Sequence, residues 1–371
     1  MKDAVHVQAP GRINIIGDHT DYNDGFVLPA AIDKKTIMQV AVNGSKSSVN
    51  FTAENLDDRF SFELDRFEPL SSGWQNYVMG VVQELMKLGA KLAGFDASFQ
   101  GDIPIGAGMS SSAALECSLA YALNKLFDLH FSKDQLIKAS QMAEHHFVGI
   151  RCGIMDQFAS MMGKKDQVIL LDCRSLEHTY HPCVLEGCQI VLVNSNVVHE
   201  LASSEYNTRR AECEEAVTIL RKKVPEIINL RDLTMPDLVK SRHDLPIPLY
   251  DRCHHVLSEN DRVHQATRAL ATADFSRLGR LLYASHYSLR DDYQVSCDEI
   301  DFLVNETLDK EYILGSRQMG GGFGGCTINL VEEGRSDEFL NQLGSQYLDR
   351  FGLDITPYFI SIEDGTKEIT L

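Results

Sequence analysis

Acidic and imidazole side chains crowd one short segment near the N-terminus. Asp18, His19, Asp21, Asn23 and Asp24 fall between positions 18 and 24. Their spacing lacks the Asp-x-Asp-x-Asp-Gly register and the closing glutamate of a calcium loop. Carboxylates and an imidazole on one turn suit hydrogen bonding to several sugar hydroxyls. A solvated loop with Asx turns is the alternative that these residues leave open.

A second segment, Pro104–Ser112, follows a predicted strand and opens a predicted helix. Its glycines let the backbone approach a ligand, and the first-turn amides of the helix attract anions. Three consecutive serines, Ser110–Ser112, add hydroxyl donors and one ligand for Mg²⁺. No Gly-Lys-Ser/Thr follows, which excludes a Walker A loop. A phosphate cradle and an ordinary strand–turn–helix connection with a serine cap both remain open.

A third segment, Gly320–Gly325, is almost entirely glycine. It matches Gly-x-Gly-x-x-Gly, but a predicted strand follows it where a dinucleotide-binding fold has a helix. We interpret it as a tight loop packed against Pro104–Ser112, with a simple hairpin turn as the alternative. Arg12 lies between a glycine and an apolar run. Its guanidinium would be buried there, and burial requires an anionic partner.

Strands and helices alternate along the chain and must position these segments. Short apolar or alternating runs predict strands, and apolar residues three or four apart predict helices. The predicted strands are Val5–Gln8, Thr36–Val42, Phe60–Leu64, Phe95–Gly101, Val168–Asp172, Ile190–Asn194, Thr327–Val331 and Tyr358–Ile362, and the predicted helices are Asn76–Leu88, Ser110–Leu126, Lys133–Phe147, Arg252–Thr272, Phe275–Leu289 and Glu338–Arg350. The length of 371 residues suggests two domains, which we place at 1–185 and 186–371.

Composition and charge narrow the class of protein. Lysine and arginine total 35 against 53 acidic residues, a formal charge of −18. An acidic surface repels nucleic acid and anionic membranes, so neither is an expected partner. No apolar run is long enough to span a bilayer, and the N-terminus does not resemble a signal peptide. The nine cysteines include no Cys-x-x-Cys pair, which favours reduced thiols and a cytoplasmic location.

The three segments, in this order, resemble the three motifs of the GHMP kinases. Gly11–Asn23 is similar to the galactokinase signature Gly-Arg-x-Asn-hydrophobic-hydrophobic-Gly-Glu-His-Thr-Asp-Tyr-Asn and departs from it only at Asp18, where the signature has glutamate. Further matching stretches are Trp74–Val78, Ala143–His145, Cys152–Phe158 and Ser204–Arg210. The resemblance extends from about residue 7 to the last predicted strand.

This resemblance implies an α+β, two-domain GHMP kinase fold. The N-terminal domain would be mixed α/β (ribosomal-protein-like), the C-terminal domain ferredoxin-like, and the active site would lie between them. The implied activity is transfer of the γ-phosphoryl group of ATP, with Mg²⁺, to the anomeric hydroxyl of α-D-galactose. The products would be galactose 1-phosphate and ADP, in the first committed step of the Leloir pathway. A monomer with galactose and ATP as its partners is expected.

The resemblance also implies roles for individual residues. Asp156 would lie beside the anomeric hydroxyl, and Arg12 near that hydroxyl and the transferred phosphoryl group. The other implied roles are sugar binding for Asp18, His19, Asp21, Gly153 and Tyr206, phosphate binding for Gly106, Ala107, Gly108, Met109, Ser110, Ser111 and Ser112, a position near adenine for Trp74 and Tyr77, and Mg²⁺ binding for Ser112 and Glu144. Positioning and charge neutralisation carry most of phosphoryl transfer. Two roles therefore stay open for Asp156, that of a general base and that of a group that orients the hydroxyl, and the general base is favoured.

Two alternatives to galactose phosphorylation stay open. The Asp18 side chain is one methylene shorter than the glutamate of the signature, which in the family faces the C6 hydroxyl. N-acetylgalactosamine, arabinose or a C6-modified galactose are therefore rival substrates, which a substrate panel would separate. A non-catalytic galactose sensor is the other reading, and the serine cradle together with Asp156 argues against it. The histidine pairs at 145–146 and 254–255 are expected at an interface or surface, not as zinc ligands.

Overall fold

The structure is a computed structural model that describes residues 4–197 and 202–370. The strands are β1 (Ala4–Asn14), β2 (Phe26–Val27), β3 (Pro29–Val42), β4 (Ser48–Ala53), β5 (Asp58–Glu63), β6 (Phe95–Gly101), β7 (Gln167–Asp172), β8 (His178–Pro182), β9 (Cys188–Asn194), β10 (Ile313–Gln318), β11 (Cys326–Glu332), β12 (Thr356–Phe359) and β13 (Lys367–Ile369). The helices are α1 (Gln75–Lys87), α2 (Ser111–Leu126), α3 (Lys133–Ala143), α4 (Met155–Met162), α5 (Ala202–Leu220), α6 (Met235–Lys240), α7 (Ile247–Ala271), α8 (Phe275–Ser288), α9 (Asp298–Asn305) and α10 (Ser336–Phe351). A π-helical turn extends α3 over Glu144–Val148 and α8 over Leu289–Tyr293.

The N-terminal part is built on a six-stranded mixed sheet in the order β13-β1-β3-β6-β4-β5. Only β4 and β6 run parallel, and the other pairs are antiparallel. Along β1, Val5 and Val7 are buried while His6 and Gln8 are partly exposed, the alternation of a sheet with one covered face. From Ala9 onward β1 is buried on both sides. Helix α2 packs across β1 and β3. It therefore covers the part of β1 that leads to the site.

The C-terminal part contains a four-stranded antiparallel sheet in the order β10-β11-β9-β12. Helices separate β9 from β10, a hairpin joins β10 to β11, and α10 leads to β12, which is the ferredoxin-like arrangement. Phe339, Leu343 and Tyr347 of α10 pack with Val191 and Val193 of β9 in one apolar cluster. The expected mixed α/β part followed by a ferredoxin-like part is therefore confirmed.

The two sheets share one hydrophobic core. Val7 and Met38 of the first sheet belong to the same cluster of buried side chains as Leu192 and Ile328 of the second. The last strand, β13, returns to the first sheet and pairs with β1. We retain the division at residues 185 and 186 as a proposal, in which the C-terminal strand crosses back to the N-terminal sheet.

Several elements differ from those predicted. Strand β10 and helix α4 were absent from the prediction, and the predicted strand Tyr358–Ile362 instead spans Thr356–Phe359. In β10, the polar residues Ser316, Arg317 and Gln318 are fully buried, so its sequence lacks the apolar pattern of a strand. Among the described residues, no helix is long and apolar enough to cross a membrane. All nine cysteines lie in this described part as free thiols.

Candidate active site

The loop between β6 and α2 has the geometry of an anion cradle. Gly106 and Gly108 adopt φ values of 78° and 73°, which disfavour residues with a side chain. Ser110 also has a positive φ, 58°, and α2 starts at the next residue. The amides of the first turn have no intrahelical partner and carry the positive end of the helix dipole. The half-buried side chains of Ser111 and Ser112 lie beside these amides.

The third glycine segment connects β10 to β11 and packs against this cradle. A side-chain carbon placed on Gly108 would lie 3.2 Å from the carbonyl oxygen of Met319. One placed on Gly320 would lie 3.4 Å from the carbonyl oxygen of Gly108. The two interpretations of the sequence therefore both hold: the segment is a hairpin connection, and it packs against Pro104–Ser112.

Arg12 and Asp156 form a bidentate ion pair beside the cradle. Arg12 Nε donates to Asp156 Oδ1 at 2.7 Å and Nη2 donates to Oδ2 at 2.8 Å. The third guanidinium nitrogen donates to the carbonyl of Gly108, and the Ser110 hydroxyl donates to Asp156. Burial alone would lower the pKa of Arg12, but Asp156 outweighs this effect and raises it. Arg12 is thus buried with an anionic partner, and Asp156 is placed in the first turn of α4.

Residues 17–26, called here the sugar turn, are mostly withdrawn from solvent. Asp18, His19, Thr20 and Asn23 are all buried, so the interpretation of this segment as a solvated loop is wrong. His19 adopts a left-handed φ of 63°, and its Nδ1 lies 2.8 Å from the Tyr22 hydroxyl. Within the described structure, His19 Nε2 is buried without a partner. Burial, with a smaller effect of nearby cations, lowers the pKa of His19 to about 3, so the imidazole is neutral.

Asp18 is held from several sides by protein groups. Arg317 Nη1 donates to Oδ2 at 2.6 Å and the amide of Gly320 donates to the same oxygen at 3.1 Å. Asn14 Nδ2 donates to Oδ1 at 2.7 Å. Arg317 is absent from the set of residues that the sequence suggested. A basic residue inside a buried strand, three positions before the glycine segment, is the signal that could have found it.

Asp21 and Gly153 are in direct contact across the site. A side-chain carbon on Gly153 would lie 1.9 Å from the carboxylate of Asp21, so only glycine fits there. Burial, and then the charge of Asp156, raises the pKa of Asp21 to about 6. The ring of Tyr206 lies 5.4 Å from that of His19, centroid to centroid, and forms another wall of the site.

A buried pair of carboxyl groups lies behind the cradle. Glu144 is at the start of the π-helical turn after α3, and burial followed by the charge of Asp156 raises its pKa to about 7. Gln157 Nε2 lies 3.3 Å from Glu144 Oε1 and 3.1 Å from Glu116 Oε2. Glu116 Oε1 has no partner in the described structure. Sequence reasoning missed Glu116, although it lies one helical turn after Ser112 on the same face of α2.

These residues fit a magnesium ion that is shared with a nucleotide. Mg²⁺ prefers oxygen ligands and is usually held by one or two carboxylates together with substrate phosphates and water. Glu144 and Ser112 line the same cavity, next to the amides of the cradle. The raised pKa of Glu144 reflects a buried carboxyl group that a cation would stabilise in its ionised form.

Trp74 precedes α1, and Tyr77 lies in the first turn of this helix. The indole N–H of Trp74 donates to Asp58 Oδ2 at 2.9 Å, and its ring packs edge-on against Phe99. Tyr77 is partly buried, and burial together with Glu144 raises the pKa of its hydroxyl. The charge of Glu144 thus acts on the Tyr77 hydroxyl, whereas Trp74 belongs to an aromatic cluster.

The histidine pairs have hydrogen-bonding roles. His145 Nε2 lies 2.8 Å from the carbonyl of Cys152, and His146 Nδ1 lies 2.9 Å from Glu84. His255 is fully buried where α7 contacts the sugar turn, so it takes the interface position of the two that were expected. Over residues 4–197 and 202–370, no three His, Cys, Asp or Glu side chains are grouped to hold a metal ion by themselves.

One cavity of about 160 Å³ collects the candidate residues. The predicted residues that line it are Arg12, Asp18, His19, Asp21, Ser112, Glu144, Gly153, Asp156 and Tyr206. Ile150, Cys152, Met155, Gly320 and Gly321 complete the wall and were not predicted as site residues. The loop residues from Gly106 to Ser111, together with Trp74 and Tyr77, lie outside this cavity. The cavity is smaller than the ~300–1,000 Å³ of drug-sized sites, which suits a small polar ligand.

Comparisons with known proteins agree with this geometry. Residues 2–42 match the galactokinase galactose-binding signature, residues 76–164 the GHMP kinase N-terminal domain, and residues 266–349 the GHMP kinase C-terminal domain. The galactokinases of Thermotoga neapolitana and Thermotoga maritima are each 46% identical to this chain over 98% of its length, which spans 100% and 99% of those proteins.

Solved structures give the same result. The crystal structure of Lactococcus lactis galactokinase complexed with galactose superposes with a TM-score of 0.95 at 34% identity, covering 99% of this chain and 96% of that one. The Methanococcus jannaschii mevalonate kinase, at 15% identity, covers 97% of this chain and 98% of its own with a TM-score of 0.68, and it shares the fold. With 46% identity to two galactokinases over 98% of its length and a match to the galactokinase galactose-binding signature, this chain belongs to the galactokinase family of GHMP kinases.

Proposed function

We propose that the protein phosphorylates α-D-galactose at its anomeric hydroxyl, with Arg12 and Asp156 as the catalytic pair. The enzyme is a kinase that uses ATP and forms galactose 1-phosphate and ADP, the first step of the Leloir pathway. One observation carries the assignment of the site: the Arg12–Asp156 ion pair lies in the cavity between the cradle and the sugar turn. The Lactococcus lactis galactokinase, which was crystallised with galactose, supports galactose as the ligand of this cavity.

Asp156 and Arg12 have different tasks in phosphoryl transfer. Asp156 accepts hydrogen bonds from Arg12 and Ser110, which fix the direction of its carboxylate. In that position it orients the attacking hydroxyl and accepts its proton as the new bond to phosphorus forms. Arg12 is fully charged and faces the place where the phosphoryl group is transferred. A fixed positive charge there stabilises the negative charge on the oxygens of a loose transition state.

The cradle and the carboxyl pair would hold the nucleotide. The first-turn amides of α2 and the hydroxyl groups of Ser111 and Ser112 are suited to bind phosphate oxygens, whereas the Ser110 hydroxyl donates to Asp156. Ser112 and Glu144 would hold Mg²⁺, which neutralises charge on the phosphates when it is bound. Glu116 shares the Gln157 amide with Glu144, and burial followed by the charge of Glu144 raises the pKa of Glu116 well above its usual value. We place adenine toward α1, near Trp74 and Tyr77.

The sugar turn supplies groups of complementary hydrogen-bonding character. The neutral His19 presents an unpartnered Nε2 to the cavity wall, and the carboxylate of Asp21 accepts from hydroxyl groups. Tyr206 contributes a hydroxyl and an aromatic face, and Gly153 leaves room for Asp21. Asp18 already accepts three hydrogen bonds from the protein, which leaves it one further acceptor site for the sugar.

The direct test is ATP turnover by the purified chain on a panel of sugars. Galactose, glucose, N-acetylgalactosamine, arabinose and galacturonate are compared at saturating ATP, with Mg²⁺ and after its removal by a chelator. We expect turnover on galactose that depends on Mg²⁺. Preference for another sugar would reject galactose as the substrate, and full turnover without a divalent cation would reject the Mg²⁺ site. Binding of galactose without turnover of any sugar would favour the alternative that the protein is a non-catalytic galactose sensor.

The assembly and location of the enzyme are part of the same proposal. A cytoplasmic monomer that binds neither nucleic acid nor membranes is supported by the formal charge of −18 and the reduced state of the cysteines. Sedimentation at the concentrations used for turnover tests the monomer. A dimer under those conditions would contradict it.

A further inference from the structure

Helix α7 contacts the sugar turn through residues that do not line the cavity. Glu259 Oε1 accepts the amide N–H of Gly17 at 2.9 Å. Gly17 immediately precedes Asp18 and His19, so this hydrogen bond fixes the backbone that carries both side chains. No sequence motif connects Glu259 to the turn, because 242 positions separate it from Gly17.

Two further side chains of α7 bond the backbone of the same turn. His255 Nε2 lies 3.1 Å from the carbonyl oxygen of Asp18. Asn260 Oδ1 accepts the amide N–H of Phe26 at 2.8 Å, at the far end of the turn. Together with Glu259, these contacts anchor both ends of the turn, at Gly17 and Asp18 and at Phe26.

Close packing accompanies these hydrogen bonds. Residues 255, 259 and 263 lie on one face of α7 because they are spaced by four. A side-chain carbon on Gly17 would lie 2.9 Å from Val263 Cγ2, and one on Gly25 would lie 2.5 Å from Asn260 Oδ1. The helix and the turn therefore touch at van der Waals distance, and a shift of one requires a shift of the other.

Glu259 is itself rigidly held. Its side chain is fully buried, Ser285 Oγ donates to it at 2.7 Å, and Arg262 Nε donates to it at 2.6 Å. Burial acts to raise the pKa of this carboxyl group, but the charges of Arg262, His255 and Arg317 outweigh burial and lower the pKa to about 2. Glu259 is thus an ionised acceptor at neutral pH.

We propose that Glu259 is a positioning residue for sugar binding, which acts through the Gly17 amide to place Asp18 and His19 in the cavity. His255 and Asn260 support the same backbone. Glu259 does not line the cavity, so its effect reaches the sugar only through the turn. This inference rests on the proposed function, because it takes the turn as the part of the site that holds galactose.

The experiment measures kcat, the KM for galactose and the KM for ATP. Each is determined for the full chain carrying Glu259→Ala, Glu259→Gln or Asn260→Ala. Glu259→Ala leaves the Gly17 amide buried without a partner, so we expect the galactose KM to rise about tenfold or more. The ATP KM and kcat should stay close to wild type. Glu259→Gln keeps a carbonyl oxygen for Gly17 and should give a smaller rise. The control is Asp261→Asn, because Asp261 is an exposed residue of the same helix whose carboxylate accepts a hydrogen bond from Gln265.

The outcomes separate this inference from the proposed function. Absence of galactose turnover by the wild-type chain would overturn the proposed function itself. With wild-type turnover present, an unchanged galactose KM in folded Glu259→Ala would overturn the positioning role. If Glu259→Ala does not fold, Asn260→Ala replaces it, because Asn260 is only half-buried. A rise in its galactose KM without a rise in its ATP KM would then support the positioning role. A joint rise of both KM values, or the same effect in Asp261→Asn, would also overturn it.

Discussion

Arg317 Nη1 lies 2.6 Å from Asp18 Oδ2, and both side chains are almost completely buried. Arg317 belongs to β10 of the C-terminal sheet, whereas Asp18 belongs to the sugar turn that follows β1. The other N–H groups of Arg317 donate to the carbonyl oxygens of Asn14, Ile15 and Gln318. The ion pair thus joins the two halves of the molecule at the cavity that Asp18 lines.

Removing this arginine should strongly destabilise the fold. Arg317→Met leaves Asp18 buried without its cation, and breaking a buried pair in this way costs about 3–5 kcal/mol. Denaturant unfolding measures the loss. Arg335→Met is the control, because Arg335 pairs with Glu338 on the surface and should contribute about 1 kcal/mol or less. The prediction fails if both variants lose the same free energy of unfolding.

A methyl group at position 153 should reduce galactose affinity selectively. It would lie 1.9 Å from the Asp21 carboxylate, which must then move. Such overpacking costs about 1–3 kcal/mol, so Gly153→Ala should raise the galactose KM about tenfold or more while the ATP KM changes little. Gly344→Ala is the matched control, since its new carbon meets Ile355 at an ordinary 3.5 Å. An unchanged galactose KM in Gly153→Ala would contradict the assigned role of Asp21.

Two substitutions of Asp156 separate its proposed roles. Asp156→Ala should retain galactose binding, measured by calorimetry, and lose about 100-fold or more in kcat, the lower end of the effect of a positioned base. Asp156→Asn keeps a hydrogen-bond acceptor for the sugar hydroxyl but does not take up its proton. A base predicts that the asparagine variant is as slow as the alanine variant, and an orienter predicts that it is faster. If both Asp156 variants kept the turnover of the wild type, both roles would be rejected.

The pKa of Asp21 predicts a pH-dependent stability of the ligand-free enzyme. Burial and the charge of Asp156 raise this pKa to about 6 from an ordinary value of 3.8. Between these values the folded chain holds the proton that the unfolded chain has lost, so the contribution of Asp21 to stability falls as pH rises from about 4 to 6. Asp21→Asn should not show this loss of stability, because asparagine does not titrate.

Unfolding of the wild type and Asp21→Asn across pH tests this linkage. The variant should be more stable than the wild type at pH 8, by about 3 kcal/mol, and the difference should disappear near pH 4. Its galactose affinity should nevertheless fall, because the acceptor charge is gone. A stability difference that does not change with pH would show that Asp21 has no raised pKa.

Local chemistry made part of the site predictable. Gly106 and Gly108 adopt positive φ angles in the tight turn before the helix, and glycine accepts such angles more readily than other residues, so this turn is visible in the residue types. The burial of Arg12 with an anion likewise followed from its apolar neighbours. The roles of these residues remain proposals, but their neighbourhood was accessible from the sequence.

The sequence by itself determined the three motifs, their order and the mixed α/β character of the chain, because glycine angles, helix starts and apolar spacing are properties of short segments. Only the tertiary structure decided which distant groups support the site. Arg317 reaches Asp18, Glu259 reaches Gly17, and β13 pairs with β1, each across more than 200 positions of the chain. A hydrogen bond between such residues leaves no periodic trace in the sequence. It forms because folding buries both partners together, where an unpaired polar group would be costly.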